Sequence, residues 1–392
     1  MSFRTGSYTA SANFPVANAL QPKLAGALDA FVTKLSPDGA TLVYSTYIGG
    51  ANWEKAGGIA VDSTGAAYVT GFTTSTNFPV KNPLQAALGG KSDAFLAKIT
   101  PDGSALAYST YFGGSGIENV AAISSTVFPP LGGIAVDAQG QAVIVGYTAS
   151  TNLPVAHAVQ AAISNPFGFA TPSPDAFVAR FAADGASLVF ATYLGGVSYD
   201  WANAVALDSA GNVHVAGQTE SFDFPVVAPF QAKPGSGSQY DAFAAKLAPD
   251  GSKVIYATYL GGGGEDIANA IAIDGSGRAV IAGTTSSPNF PVADPLQAVG
   301  GASLYESTDG GATWNARSAG IRSPTVRAVV RIPGAPGSLL AGTGSGVYRS
   351  VDGGATWTAT SVNGNTSALL VDPSDPKVIY AGSDFSSLVS GV

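Results

Sequence analysis

A chain of 392 residues with 46% apolar and only 11% charged side chains is too apolar to remain disordered. Its net charge of −8 argues against a nucleic-acid or anionic-membrane surface, because both need clustered basic residues. The absence of cysteine removes disulfides, thiolate metal sites and a cysteine nucleophile, and no apolar run is long enough for a transmembrane helix.

The 50 glycines and 24 prolines suit many short strands joined by tight turns. The chain opens inside a repeat, with Met1–Gly6 matching Tyr68–Gly71 and lacking the apolar core of a signal peptide. It stops inside another repeat, so a piece of a longer protein is expected. Phe-Pro-Val recurs at Phe14, Phe78, Phe224 and Phe290, and as Leu-Pro-Val at Leu153. Spacings of 64 to 75 residues define one structural unit repeated along the chain.

One unit predicts four strands in order. Strand one is Ile59–Asp62, followed by a turn at Ser63-Thr-Gly65. Strand two is Ala67–Thr73, and a long loop then carries Phe78-Pro-Val80 and Leu84-Gln85. Strand three is Asp93–Ile99, turned by Pro101-Asp-Gly103 into strand four, Leu106–Tyr111, rich in aromatic and β-branched residues. Gly113-Gly114 links to the next unit. Four antiparallel strands per unit, repeated around a ring, describe an all-β propeller. A parallel β-helix, the competing architecture, has shorter coils and lacks two hairpin turns per unit.

From Ser303 the wording changes. Ser307-Thr-Asp309-Gly-Gly311-Ala-Thr313-Trp314 recurs 43 residues later as Ser350-Val-Asp352-Gly-Gly354-Ala-Thr356-Trp357. This pattern resembles the Asp-box of BNR and sortilin-type propellers, over about residues 301–385. The units over about residues 5–300 resemble the SBBP β-propeller repeat family of bacterial surface and secreted proteins. The resemblance implies an extracellular or cell-surface location.

Strand by strand the two repeat types align in phase, so a single propeller over residues 1–392 is expected, with 301–392 completing the ring begun by 1–300. Seven blades accommodate every strand; six would leave residues after Ala368–Asp372 surplus.

Chain order places the long loops and blade links at one end, and the tight turns and Asp-boxes at the other. Loops on a rigid frame are where binding usually sits, including the insert Asn165-Pro-Phe-Gly-Phe169. Four residues after each linking glycine pair comes an acid: Glu54, Glu118, Asp200 or Asp266. As a carboxylate ring these would hold a hard cation such as Ca²⁺. The favoured alternative is that each caps backbone N–H groups where the chain enters strand one.

Asp62, Asp137, Asp208 and Asp274 read as turn residues. Asp309 and Asp352 read as acceptors within their own hairpins, and Trp314 and Trp357 as core. Lys34, Lys98, Arg180 and Lys246 recur on strand three, as a repeated salt bridge or edge residue would.

His157 and His214 are too isolated for a metal site. No Ser-His-Asp arrangement, phosphate loop or zinc spacing is present, so no catalytic residue is assigned. Asp-boxes also occur in sialidases, and Val330-Arg-Ile-Pro333 resembles a sialidase motif, but it fills a strand-one slot. The expected function is a monomeric, non-catalytic scaffold binding a protein or glycan on the long-loop face, without a required cofactor. The alternative is an Asp-box carbohydrate-active hydrolase.

Overall fold

The computed structural model describes residues 2–119, 132–165, 168, 172–237, 240–291, 303–309, 313–323, 325–372 and 375–382. The first sheet holds β1 (Ser2–Thr9), β2 (Asp29–Leu35) and β3 (Leu42–Ile48). Three four-stranded antiparallel sheets follow. The first is β4 (Glu54–Val61), β5 (Ala67–Thr73), β6 (Asp93–Ile99) and β7 (Leu106–Phe112). The next is β8 (Gly133–Val136), β9 (Ala142–Thr148), β10 (Asp175–Phe181) and β11 (Leu188–Leu194). Then come β12 (Asp200–Leu207), β13 (Val213–Thr219), β14 (Asp241–Leu247) and β15 (Val254–Leu260).

The change of repeat type falls inside one sheet. β16 (Asp266–Ile273) and β17 (Ala279–Thr285) continue into β18 (Ser303–Glu306) and β19 (Asn315–Ala316), with Val280 opposite Glu306 and Ala282 opposite Leu304. A further four-stranded sheet holds β20 (Val326–Arg331), β21 (Leu339–Thr343), β22 (Gly346–Ser350) and β23 (Thr358–Asn363). The last pair is β24 (Ala368–Val371) with β25 (Ile379–Gly382).

First strands neighbour one another around the ring, β4 with β8, β8 with β12, β12 with β16, β16 with β20 and β20 with β24, so they line its inside. The middle strands are mostly buried; every residue of β5, β9, β10 and β13 is covered. Such a sheet is apolar on both faces and must be sandwiched between two others.

The expected seven blades are corrected to six. Each junction between neighbouring sheets carries one apolar cluster, and there are six such clusters among the described residues. The sixth joins Leu340 and Val347 to Val371 and Leu369 of β24. Leu370 of that same strand packs instead against the apolar cluster that joins the first two sheets. β24 thus stands as the first strand of the blade whose other strands come from the N-terminus, and β25 comes against β1. A two-stranded seventh blade would have left its own faces uncovered; sharing one blade position between the chain ends covers them.

The repeated words have physical roles. The Tyr111 hydroxyl accepts from the Phe78 N–H (2.9 Å) and donates to the Ser75 carbonyl (2.7 Å). The Phe78 ring lies 4.8 Å from that of Phe95. Tyr47, Tyr193 and Tyr259 hold Phe14, Leu153 and Phe224 the same way. Phe-Pro-Val is therefore the point at which each long loop is pinned to strands three and four. The turn Pro101-Asp-Gly103 serves the ring: Gly103 has φ +78°, and a Cβ there would fall 2.3 Å from the Tyr44 ring of the preceding blade.

Tyr111→Phe removes the shared partner of two buried backbone groups. It should lower unfolding free energy by about 1–3 kcal/mol, measured by chemical denaturation; unchanged stability would show that the loop is not held there.

Candidate functional site

The blade links are the most elaborate polar sites among the described residues. Each turns the chain from an outer fourth strand to the next inner first strand, leaving glycine N–H groups inside the protein. Glu54, the first residue of β4, accepts from Gly50 N–H (2.9 Å) and the Thr73 hydroxyl (2.6 Å). Glu118 accepts from Gly114 N–H (3.3 Å), Thr148 (2.6 Å) and Ser150. Asp200 accepts from Gly196 N–H (2.8 Å) and Ser221 (2.7 Å), and Asp266 from Gly262 N–H (2.8 Å) and Ser287 (2.6 Å). All four side chains are fully buried. The first strand starts at Glu54 rather than Ile59 because a bulge between Ala56 and Gly58 lets its pairing with β5 continue to Thr73.

A second carboxylate faces Glu54, Glu118 and Asp200, and sequence reasoning passed over it. Asp29, Asp93, Asp175 and Asp241 open the third strands and are as buried as the link acids. Asp29 accepts from the N–H groups of Ala25 (2.8 Å) and Gly26 (3.1 Å) and from the Gln21 amide (2.8 Å). The Gln21 carbonyl oxygen in turn accepts from Gly49 N–H (3.0 Å). Gln85 and Gln160 bridge Asp93 to Gly113 and Asp175 to Gly195 alike. The signal was present, since Asp-Ala-Phe recurs at Asp29, Asp93, Asp175 and Asp241. A Cβ on Gly113 would meet Glu118 Oε2 at 2.5 Å and Asp93 Oδ1 at 2.6 Å. The two oxygens are thus at most about 5 Å apart, close enough for the charges to feel each other strongly.

Burial drives these carboxyls upward. Glu118 is pushed to about 7 by burial, with Asp93 adding to it. Asp175 is pushed to about 8 by burial and by the Asp200 charge, and Asp200 to about 7 by burial, against the bonds from Thr219, Gly196 and Ser221. Burial also raises Asp29, Glu54, Asp93 and Asp266. At Glu118 and in the Asp175–Asp200 pair, a proton retained near neutral pH relieves the repulsion.

The structure distributes Glu54, Glu118, Asp200 and Asp266 one to a link, each bound to its own backbone and hydroxyl partners. Among the described residues, no three His, Asp or Glu side chains converge on a point where a metal ion would sit. The local bonds match the capping role.

The tight-turn end is built of paired charges. Lys98 meets Asp62 at 3.1 Å, Lys246 meets Asp208 at 2.9 Å, and Arg180 meets Asp137. Arg180 also donates to the carbonyls of Gly211 (2.9 Å) and Pro249 (3.1 Å) in the next blade, as Lys34 does to Pro101 (2.5 Å). A cleft of about 560 Å³ between Asp137 and Asp208 is lined by these already paired groups. Asp274 accepts from Arg278 of its own turn.

His214 lies on β13 between Asp208 (3.2 Å) and the Tyr256 hydroxyl (3.4 Å), and burial holds it down to about 4. His157 contacts the Val189 carbonyl at 2.9 Å. Asp309 and Asp352 accept from the N–H and hydroxyl of Thr313 and Thr356 and from Ser307 and Ser350, within their hairpins. Gly354 N–H donates to Ser350 (2.8 Å); Gly311 lies outside the described residues. Trp314 and Trp357 are core residues, as expected.

The long-loop end contrasts with both networks. Asn77 accepts from Ala51 N–H (2.8 Å) and Asn152 from Ser115 N–H (2.8 Å), which ties loops and links together at one end. On the long loops Val16, Val80, Val155, Val227 and Phe230 are exposed, and Phe222 is 72% exposed. Within the insert, Pro166, Phe167 and Phe169 fall outside the described residues.

Residues 43–79, 189–225 and 255–291 match the SBBP family, described as a beta-propeller repeat. No curated protein matches the chain. Among solved structures, a protein from Lactobacillus plantarum is 12% identical with a TM-score of 0.47, covering 91% of this chain and 85% of that chain. YCF48 bound to D1 peptide is 11% identical, with a TM-score of 0.42 and coverages of 97% and 93%. The Hadza microbial sialidase Hz136 is 14% identical, with a TM-score of 0.36 and coverages of 70% and 55%. At such identities and scores the likeness carries no argument about activity or partner.

Two predictions follow from the links. A carboxyl raised in the folded state keeps a proton that the unfolded chain has lost. The stability from Glu118, Asp175 and Asp200 is then full below about pH 4 and lost as pH rises through about 7 to 8. Asp62, pulled down to about 2 by bonds from Thr64, Ala66, Lys98 and Tyr68 against the upward push of burial, acts oppositely and loses its share only in acid. His214 also acts oppositely, losing its share as pH falls through about 4. The melting temperature should therefore fall between about pH 5 and pH 8. Asp175→Asn should flatten that fall, and an unchanged slope in the variant would contradict the pairing.

The second concerns Ca²⁺. Adding it should leave calorimetric melting unchanged, because each link acid is bound to its own backbone N–H and hydroxyl donors and not to a shared ion. A Ca²⁺-dependent rise abolished by Asp200→Asn would instead assign a cation site to the links.

Proposed function

We propose that this propeller is a non-catalytic scaffold of an extracellular or cell-surface protein, with its long-loop end as the binding face for a protein or glycan. The observation that carries this reading is the division of labour between the two kinds of residue. Repeated acids and cations are engaged inside the links and turns, while Phe222, Phe230 and the loop valines are exposed on the long loops. Apolar groups gathered on loops above a fixed frame suit recognition.

The hydrolase alternative, suggested by the Asp-box resemblance, has one feature in its favour. Carboxyl pairs about 5 Å apart with one raised pKa are what a retaining glycosidase uses. Here, however, Asp175 and Asp200 are both fully buried, and the backbone of Gly195 lies against them. A substrate cannot reach between them without opening the link.

A glycan array read together with a hydrolysis assay on the bound glycans tests the reading. Binding without turnover is expected if the ligand is a glycan. Turnover lost in Asp175→Asn, with the fold retained, would overturn the scaffold reading in favour of the hydrolase.

A further inference from the structure

One blade link departs from the repeated pattern. The residues before and after the link acid are Trp53 and Lys55, Ile117 and Asn119, and Glu265 and Ile267 in three links. In the remaining link they are Tyr199 and Trp201, so a pair of aromatics here is not a requirement of the frame. Tyr240, from the end of the adjacent long loop, stacks on Trp201 with ring centres 5.6 Å apart and planes at 28°. Tyr199 meets Trp201 edge-on at 6.1 Å, and Tyr147 supports it from below at 5.8 Å. Tyr199 is 42% exposed, whereas Tyr147 is buried, so the cluster runs from core to surface.

Two carboxylates border this aromatic surface. Glu220 directly follows β13, and its Oε2 accepts from the Ser198 hydroxyl at 2.7 Å, which fixes its direction. Glu265 lies in the next blade link and is exposed; its N–H donates to Ser286 (2.7 Å), which holds the backbone there. The Glu220 N–H donates to the Tyr199 carbonyl and the Asp266 N–H to the Tyr240 carbonyl (both 2.8 Å), which brings both glutamates next to the aromatic cluster. Burial raises the Tyr240 hydroxyl, and the charges of Glu220 and Glu265 add to it. Neither glutamate makes an ion pair among the described residues, whereas the turn-end Asp62, Asp137 and Asp208 each have one.

We infer that Tyr199, Trp201 and Tyr240, with Glu220 and Glu265, form a docking site for a cationic side chain presented by a protein partner, an arginine foremost. The site rests on the platform reading above and names its ligand. Aromatic surface attracts a guanidinium through the ring quadrupole, and the flanking carboxylates supply the two acceptors that its planar fork needs. The net charge of −8 favours approach of a basic segment. A neutral glycan would also stack on the rings, but it would leave two unpaired charges uncompensated.

The test uses a fluorescein-labelled peptide carrying two arginines in a Gly/Ser background, and its citrulline twin, with the whole chain. Fluorescence anisotropy at moderate salt should show binding of the arginine peptide at least about tenfold tighter than the citrulline peptide. Tyr199→Ala and Glu265→Gln should each weaken it about tenfold. Asp102→Asn, which removes one charge at the turn end, should change it little. Equal weakening by Asp102→Asn, or equal binding of the citrulline twin, would overturn the site and leave only the overall field of the protein. A neutral glycan whose binding is lost in Tyr199→Ala would overturn the cationic ligand while the scaffold reading stands. Circular dichroism on each variant confirms that the fold is retained.

Discussion

Each blade of this protein is a sheet that is apolar on both faces, and everything else follows from the need to cover them. Strands two and three of a blade are buried along most or all of their length, so no blade has a solvent side on which to rest. Neighbours must supply the cover, and the chain must cross from the outside of one sheet to the inside of the next. The four crossings that join the first five sheets each bury backbone N–H groups at a glycine pair. A buried donor without an acceptor costs more than a hydrogen bond returns, so an acid enters with the following strand to accept them.

That acid is placed beside another. The third strand opens with an aspartate that gathers the N–H groups of the incoming long loop, and link and loop meet at the same glycine. Two carboxyls in one buried place raise each other's pKa, and a shared proton is the cheapest relief. At the opposite end the solution differs. There Lys98, Arg180 and Lys246 pair with Asp62, Asp137 and Asp208, and Arg180 and Lys34 cap carbonyls of the adjoining blade. The frame therefore consumes most of the ionisable groups that repeat. What remains for recognition is what does not repeat, and Tyr199, Trp201 and Tyr240 are of that kind.

Much of this was legible in the chain. The second and third strands, Ala67–Thr73 and Asp93–Ile99, stand where their alternation and turns put them, and the link acids cap backbone as local turn chemistry suggests. The first strand was read too short, because a bulge at Ala56 hides the period-two pattern ahead of Ile59. The partner acids were passed over for a different reason. Asp93 reads only as the first residue of strand three, and its nearness to Glu118 depends on that strand and the following blade link meeting at Gly113.

Repeat length, strand order and turn chemistry were settled by the sequence alone, because each is a local property that recurs with the unit. Blade number was not, because closure is decided by where the last strand finds cover. Leu370 packs against the apolar cluster that joins the first two sheets, some three hundred residues away in the chain, and that contact makes the ring six blades rather than seven. The same holds for the carboxyl pairs and the aromatic patch. Their chemistry lies in distances between blades, which only the folded ring creates.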